Sequence, residues 1–161
     1  MRGSRRVLAP TALAAVFALA GCVGGRPGTV VSTSGVPEVG AQLNAARSEL
    51  GLSRLAPSPA LADAAMAQAR FTAERGELTH RSARGGTVMD RVKSRGYRAC
   101  LAAENLAAGQ ADAAEVTRGW LASPGHRGNM RLRDATHYGA GRANVDGGSP
   151  YWVLVVAAPC T

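Results

Sequence analysis

Between Tyr138 and Ala157 the period of the apolar residues changes, and this change most constrains how the chain can fold. Upstream, apolar side chains recur at helical intervals. Val39, Leu43, Ala46 and Leu50 form one such stripe, closed by Gly51, which tolerates the positive φ of a helix stop. Leu61, Ala64 and Phe71 form a second stripe behind Ser58 and Pro59, a good N-cap followed by a residue whose missing N–H costs nothing in the first turn. Downstream, Tyr138 to Val145 and Tyr151 to Ala157 read as strands, and Asp146-Gly147-Gly148-Ser149-Pro150 between them is a turn cluster. Helices that end in an antiparallel hairpin predict the α+β class.

Two shorter helices fit between these parts. Thr87-Val88-Met89-Asp90 has the form of a capping box, and the run that follows ends at Arg95-Gly96. Asp112 and Glu115 repeat the start signal ahead of Val116 and Trp120, which lie one helical turn apart. Pro124 bars that helix from continuing beyond about Ser123, so the residues after it read as a helix-ending turn. Leu101 to Ala108 can supply a third strand.

The first residues have a different purpose. Arg2, Arg5 and Arg6 precede an almost unbroken apolar run from Val7 to Ala20, and Leu19-Ala20-Gly21-Cys22 closes it. At roughly 1.5 Å per residue this run reaches only about 21 Å, short of the roughly 30 Å hydrocarbon core of a bilayer, so it reads as a secretion signal over residues 1–21. The Leu-Ala-Gly-Cys tail resembles the bacterial lipobox, which implies cleavage before Cys22, lipidation of its thiol, and a lipid-anchored protein on the extracytoplasmic side of the cell envelope, at the periplasmic face or the cell surface. Residues 22–36 are mostly Gly, Ser, Thr, Val and Pro, which predicts a flexible tether and leaves 37–161 as one domain.

The net charge of +8 includes three leader arginines, and without them it falls to +5. The surplus is spread along the chain, aromatic residues are sparse and no basic stripe occurs, so nucleic acid is not an expected partner. Such a surplus favours contact with an anionic surface, lipid headgroups or acidic cell-wall polymers, and the ligand expected is a lipid, a small apolar molecule or a cell-envelope component. In an oxidising compartment Cys100 and Cys160 have one pairing open to them, and a disulfide there stabilises the fold by roughly 4 kcal/mol in the chain-entropy model.

His80, Glu104 and His126 stand out because histidine is scarce and these residues fall at the ends of predicted elements. Their surroundings resemble the CAP superfamily of cysteine-rich secretory, antigen 5 and pathogenesis-related proteins, also called SCP domains. The matching segments run in order. Leu43-Asn44-Ala45-Ala46-Arg47, Gly51-Leu52, Leu55 with Ser58, His80, and Arg91 with Gly96-Tyr97 come first. Glu104-Asn105-Leu106-Ala107, Trp120, Ser123-Pro124-Gly125-His126-Arg127-Gly128-Asn129-Met130, Gly139-Ala140-Gly141 and Tyr151-Trp152 follow.

The resemblance implies a three-layer α-β-α sandwich with a small antiparallel sheet and a cleft lined by two histidines and two acidic residues. His80, His126 and Glu104 match three of these positions, and Asp90 is the candidate for the fourth, although it is also the acid of the capping box. Two neutral imidazoles could ligate Zn²⁺ or another divalent cation, with carboxylates nearby to bind it or to fix the histidine tautomers. Nothing in the motifs requires an enzyme. A metal-assisted hydrolase of envelope polymers would use Glu104 as base beside His126, and a serine hydrolase would need Ser123, His126 and Glu104 in line without a Gly-x-Ser-x-Gly elbow. A scaffold for other envelope proteins is the remaining alternative. Asn105, Asn129 and Trp120 read as structural, and His137 matches no role.

Overall fold

The computed structural model describes residues 29–160, and the leader and Cys22 lie outside that range. In chain order the elements are β1 (Val30–Gly35), α1 (Pro37–Ser48), β2 (Ala56–Pro57), α2 (Pro59–Arg75), α3 (Val88–Ser94), β3 (Ala99–Ala108), α4 (Ala113–Ala122), α5 (Pro124–Met130), β4 (His137–Val145) and β5 (Tyr151–Pro159). The strands form one sheet in the order β1-β4-β5-β3, antiparallel throughout, with β2 adding a two-residue parallel bridge to the start of β4.

The predicted hairpin is β4 and β5, paired from His137 opposite Ala157 to Ala143 opposite Tyr151. The run Tyr151 to Ala157 is apolar at every position because both faces of β5 are covered. Tyr151, Val153, Val155 and Ala157 join the core under α2 and α3, while Trp152, Leu154 and Val156 join the core under α1, α4 and α5. The period-two alternation of a strand thus feeds two cores, one on each side, and the result is a three-layer α-β-α sandwich.

Helix α2 lies almost on the backbone of β4. A methyl group added at Gly139 would strike Leu61 and Ala62, and one added at Gly141 would strike Met66 and Ala65. Ala64, Ala65, Ala69 and Ala73 give α2 the matching flat face, each fully buried. The capping signals hold as well: Leu61 N–H donates to Ser58 Oγ, Thr87 and Asp90 form the reciprocal capping box, and Asp112 Oδ1 accepts from Glu115 N–H at 2.8 Å. Cys100 and Cys160 are joined by a disulfide across the β3 and β5 ends, with Cα atoms 4.8 Å apart.

Two expectations need correction. The composition of residues 22–36 predicts a tether, but Val30–Gly35 is strand β1, paired with β4 from Val145 to Gly141. A strand on a sheet edge draws its energy from backbone pairing and β-branched residues and needs no buried side-chain face, so a composition test for apolar patterning misses it. The residues after Ser123 are also more than a turn. Pro124 ends α4 and at the same time opens α5, because proline is unfavourable inside a helix but suited to its first position.

Candidate functional site

Strand β3 is the outer strand on its side of the sheet, and the helices that follow it cover its unpaired carbonyls. Trp120 Nε1–H on α4 donates to Leu106 O at 3.2 Å, and the Asn129 side-chain amide on α5 donates to Glu104 O at 3.1 Å. The Asn129 amide also bonds Asn105 Oδ1 at 2.9 Å, and Asn105 in turn donates to the carbonyl of His126 at 3.0 Å. Covering an edge in this way removes its open backbone groups, and it also fixes α5, with His126 on it, against the strand that carries Glu104. Asn105, Asn129 and Trp120 therefore have the structural roles their positions predict, and Trp120 adds a hydrogen bond to its place in the core.

Glu104 points to the α2 and α3 side of the sheet, where it sits opposite Val155, and its side chain is 1% exposed. A buried carboxylate needs partners for both oxygens. His80 Nδ1 lies 2.9 Å from Oε1, and the Arg91 guanidinium pairs with Oε2. A second Arg91 nitrogen donates to the His80 carbonyl at 3.2 Å, so one arginine holds both the acid and the backbone of the residue that uses it.

The two histidines have contrasting environments. The hydrogen bond with Glu104, and then its negative charge, raise the pKa of His80 against the opposing effects of burial and of Arg91. Partial burial, and then the charge of His80, lower that of His126. Among the described residues no hydrogen bond joins the two rings; Asn105, which bonds the His126 carbonyl, and Asn129, which bonds the Glu104 carbonyl, link the segments that carry His126 and Glu104. Neither His80 Nε2 nor either ring nitrogen of His126 has a hydrogen-bond partner among the described residues; the His80 side chain is largely exposed and His126 half-buried, so these nitrogens are open to solvent.

Asp90 is not brought to this group. Its Oδ2 accepts from Thr87 N–H and from Thr87 Oγ, both at 2.8 Å, its side chain is exposed, and these bonds lower its pKa. The capping box has taken the carboxylate that was expected in the cleft. The residue missing from the sequence-based set is its neighbour Arg91, which the structure buries beside Val92 on this seven-residue helix, where a charge calls for a buried counter-ion.

The donor set decides what the cleft can hold. Among the described residues no group of three or more His, Cys, Asp or Glu side chains converges on a metal position. With Glu104 committed to His80 and Arg91, the ring donors that remain are those of His80 and His126, one of them with a carboxylate behind it, which is fewer than the three or four protein ligands of an ordinary zinc site. The serine arrangement does not assemble: Glu104 engages His80 and not His126, and no hydrogen bond joins Ser123 to His126. His137, expected to be incidental, has its Nδ1 3.0 Å from the Tyr97 hydroxyl and 2.8 Å from the Thr136 hydroxyl, which ties the segment before β3 to the start of β4. A cavity of about 430 Å³ lined by Val36, Pro37, Pro57, Pro59 and Tyr138 contains none of the histidine cluster.

The same architecture recurs in solved structures. The chain is similar to an outer surface protein from Borrelia burgdorferi, with a TM-score of 0.72 and 21% identity over 80% of this chain and all of that one. It is similar also to an extracellular protein containing an SCP domain from Bacillus anthracis, with a TM-score of 0.68 and 27% identity over 75% of this chain and 39% of that one. In sequence it is 35% identical over 98 residues to the uncharacterized protein YkwD of Bacillus subtilis, spanning 61% of this chain and 38% of the length of that relative. Among the described residues no helix is long and apolar enough to cross a membrane. The model of the cysteine-rich secretory protein family, CAP, matches residues 41–156, and the chain belongs to that family.

Proposed function

We propose that this protein is an extracytoplasmic, membrane-tethered binding module whose His80–His126 cleft takes a divalent cation, with Zn²⁺ the best match to two imidazoles. One observation carries the reading: a buried carboxylate, Glu104, engages Nδ1 of His80 and leaves Nε2 without a partner. A carboxylate behind an imidazole fixes the tautomer that presents the opposite nitrogen and makes that nitrogen a better ligand. The cation, when bound, would act as an exposed Lewis acid. Glu104 is poorly placed to act as a base, because taking a proton would cost it either Arg91 or His80. Binding is therefore favoured over hydrolysis.

Tethering through Cys22 belongs to the same proposal, supported by the Leu19-Ala20-Gly21-Cys22 tail and by relatives described as extracellular or outer-surface proteins. Paramagnetic Co²⁺ tests the cation site. The ring-proton NMR lines of His80 and His126 should broaden together as Co²⁺ is added, and Glu104→Gln should weaken the effect by about ten-fold or more, the usual cost of losing a carboxylate behind a ligating histidine. Broadening of one ring alone, or of neither, contradicts the shared site.

A further inference from the structure

Arg91 reaches a second region that the histidine cluster does not use. It lines a cavity of about 260 Å³ between α2, α3 and the loop before α3, together with Arg84 and Arg95, and no carboxylate lines that cavity. Two of the lining side chains each hold an unmet polar atom. Arg91 Nε is buried and has no hydrogen-bond partner, and Gln68 Oε1 is in the same condition in a side chain that is fully buried. The Gln68 amide cannot be turned to cure this, since its nitrogen donates to the carbonyls of Thr79 and Arg81, two acceptors that only the NH₂ end can serve.

A buried donor and a buried acceptor left unmet are costly, and each defines what would satisfy it. Arg91 Nε calls for an oxygen, best a charged one, and the exposed arms of Arg84 and Arg95 at the mouth reinforce the preference for an oxyanion. Gln68 Oε1 calls for a hydroxyl or an N–H beside that anion. A neighbouring cavity of about 230 Å³ shares Phe71, Ser82 and Ala83 and adds Arg81, Arg75 and the Glu77 carboxylate paired with Arg75, so the anion belongs in the first cavity, which has no acid in its lining.

We infer that the Gln68–Arg84–Arg91–Arg95 cavity is a binding site for a phosphorylated polyol, its phosphate on the guanidiniums and a hydroxyl on Gln68. The group can come from a soluble or polymeric phosphate ester or from a phospholipid headgroup, which share this chemistry. The site shares Arg91 with the Glu104–His80 pair but uses neither histidine, and it does not depend on the cation reading.

The test is an NMR titration of the full-length protein with glycerol 3-phosphate, following the Arg91 Nε–H resonance, with glycerol and sulfate as controls. The resonance should move to a saturating end point. Sulfate, which has no donor for Gln68, should bind about ten-fold more weakly, and glycerol should not bind measurably. Arg84→Gln/Arg95→Gln changes two exposed side chains, so folding should be kept, and it should weaken glycerol 3-phosphate by about ten-fold or more. An unmoved Arg91 resonance, a double variant that binds like wild type, or sulfate that binds equally well would overturn the inference. Vesicles of phosphatidylglycerol that displace glycerol 3-phosphate would assign the group to a lipid headgroup, and vesicles that do not would assign it to a soluble or polymeric ester; both results keep the site. His80→Ala/His126→Ala should leave glycerol 3-phosphate binding intact, which separates failure here from failure of the cation reading.

Discussion

Arg91 is the buried counter-ion of Glu104, joining α3 to β3 through a pair whose side chains are 9% and 1% exposed. Removing one member of such a pair strands the other charge in a low-dielectric setting, and the usual cost is about 3–5 kcal/mol. Arg91→Ala should therefore lower the unfolding free energy by about that amount in urea denaturation. Arg91→Met/Glu104→Leu should recover much of the loss, because it leaves no charge unpaired. An Arg91→Ala variant as stable as wild type would show that the pair does not form.

The histidines should titrate on opposite sides of the ordinary imidazole value, His80 above and His126 below, in an NMR pH series. Glu104→Gln should bring His80 down, since the hydrogen bond with Glu104 is the largest cause of its shift. For stability the signs also oppose. The raised pKa of His80 contributes stability that is fully present below the unfolded value and is lost as pH rises through the folded value. The lowered pKa of His126 contributes stability that is present above the unfolded value and is lost as pH falls through the folded one. The His80 side chain is 64% exposed, so its share is screened and should amount to well under about 1 kcal/mol. Both rings titrating together would contradict the contrast between their surroundings.

Gly141→Ala should be destabilising by about 1–3 kcal/mol or more, because a methyl there meets the α2 backbone at Met66 and the helix must lift from β4. Gly119, with open space around it, is the control, and Gly119→Ala should be neutral or slightly stabilising in the same thermal melt. Equal melting temperatures for the two variants would be inconsistent with the close approach of α2 to β4.

The Cys100–Cys160 bridge closes a separation of 60 residues, and its removal in Cys100→Ala/Cys160→Ala should cost about 2–4 kcal/mol in denaturant unfolding. No change on removal would mean that strain or structure in the unfolded chain cancels the constraint.

The sequence makes the sandwich legible because its signals are local. Ser58-Pro59, the Thr87 box, Asp112 and the hairpin turn each act within a few residues, and each element forms at that place. Strand β1 escapes because its partner is more than a hundred residues away and Val31, Ser32 and Ser34 on it are exposed, with only Val30 among its described side chains packing against the core. At the site, His80, Glu104 and His126 were visible as uncommon residues in a family pattern, and His80 and Glu104 meet directly. The Asp90 and Arg91 positions could not be told apart in advance. Both lie on α3 one residue apart, and only the rotation of that helix decides that the aspartate caps its own N-terminus while the arginine turns inward to Glu104.

The most direct test is calorimetric titration of Zn²⁺ into the full-length protein, His80→Ala/His126→Ala and Asp90→Asn. One-site binding by the wild type, kept in Asp90→Asn and lost in the histidine variant, is the predicted result. Equal binding by the wild type and His80→Ala/His126→Ala would contradict the cation cleft.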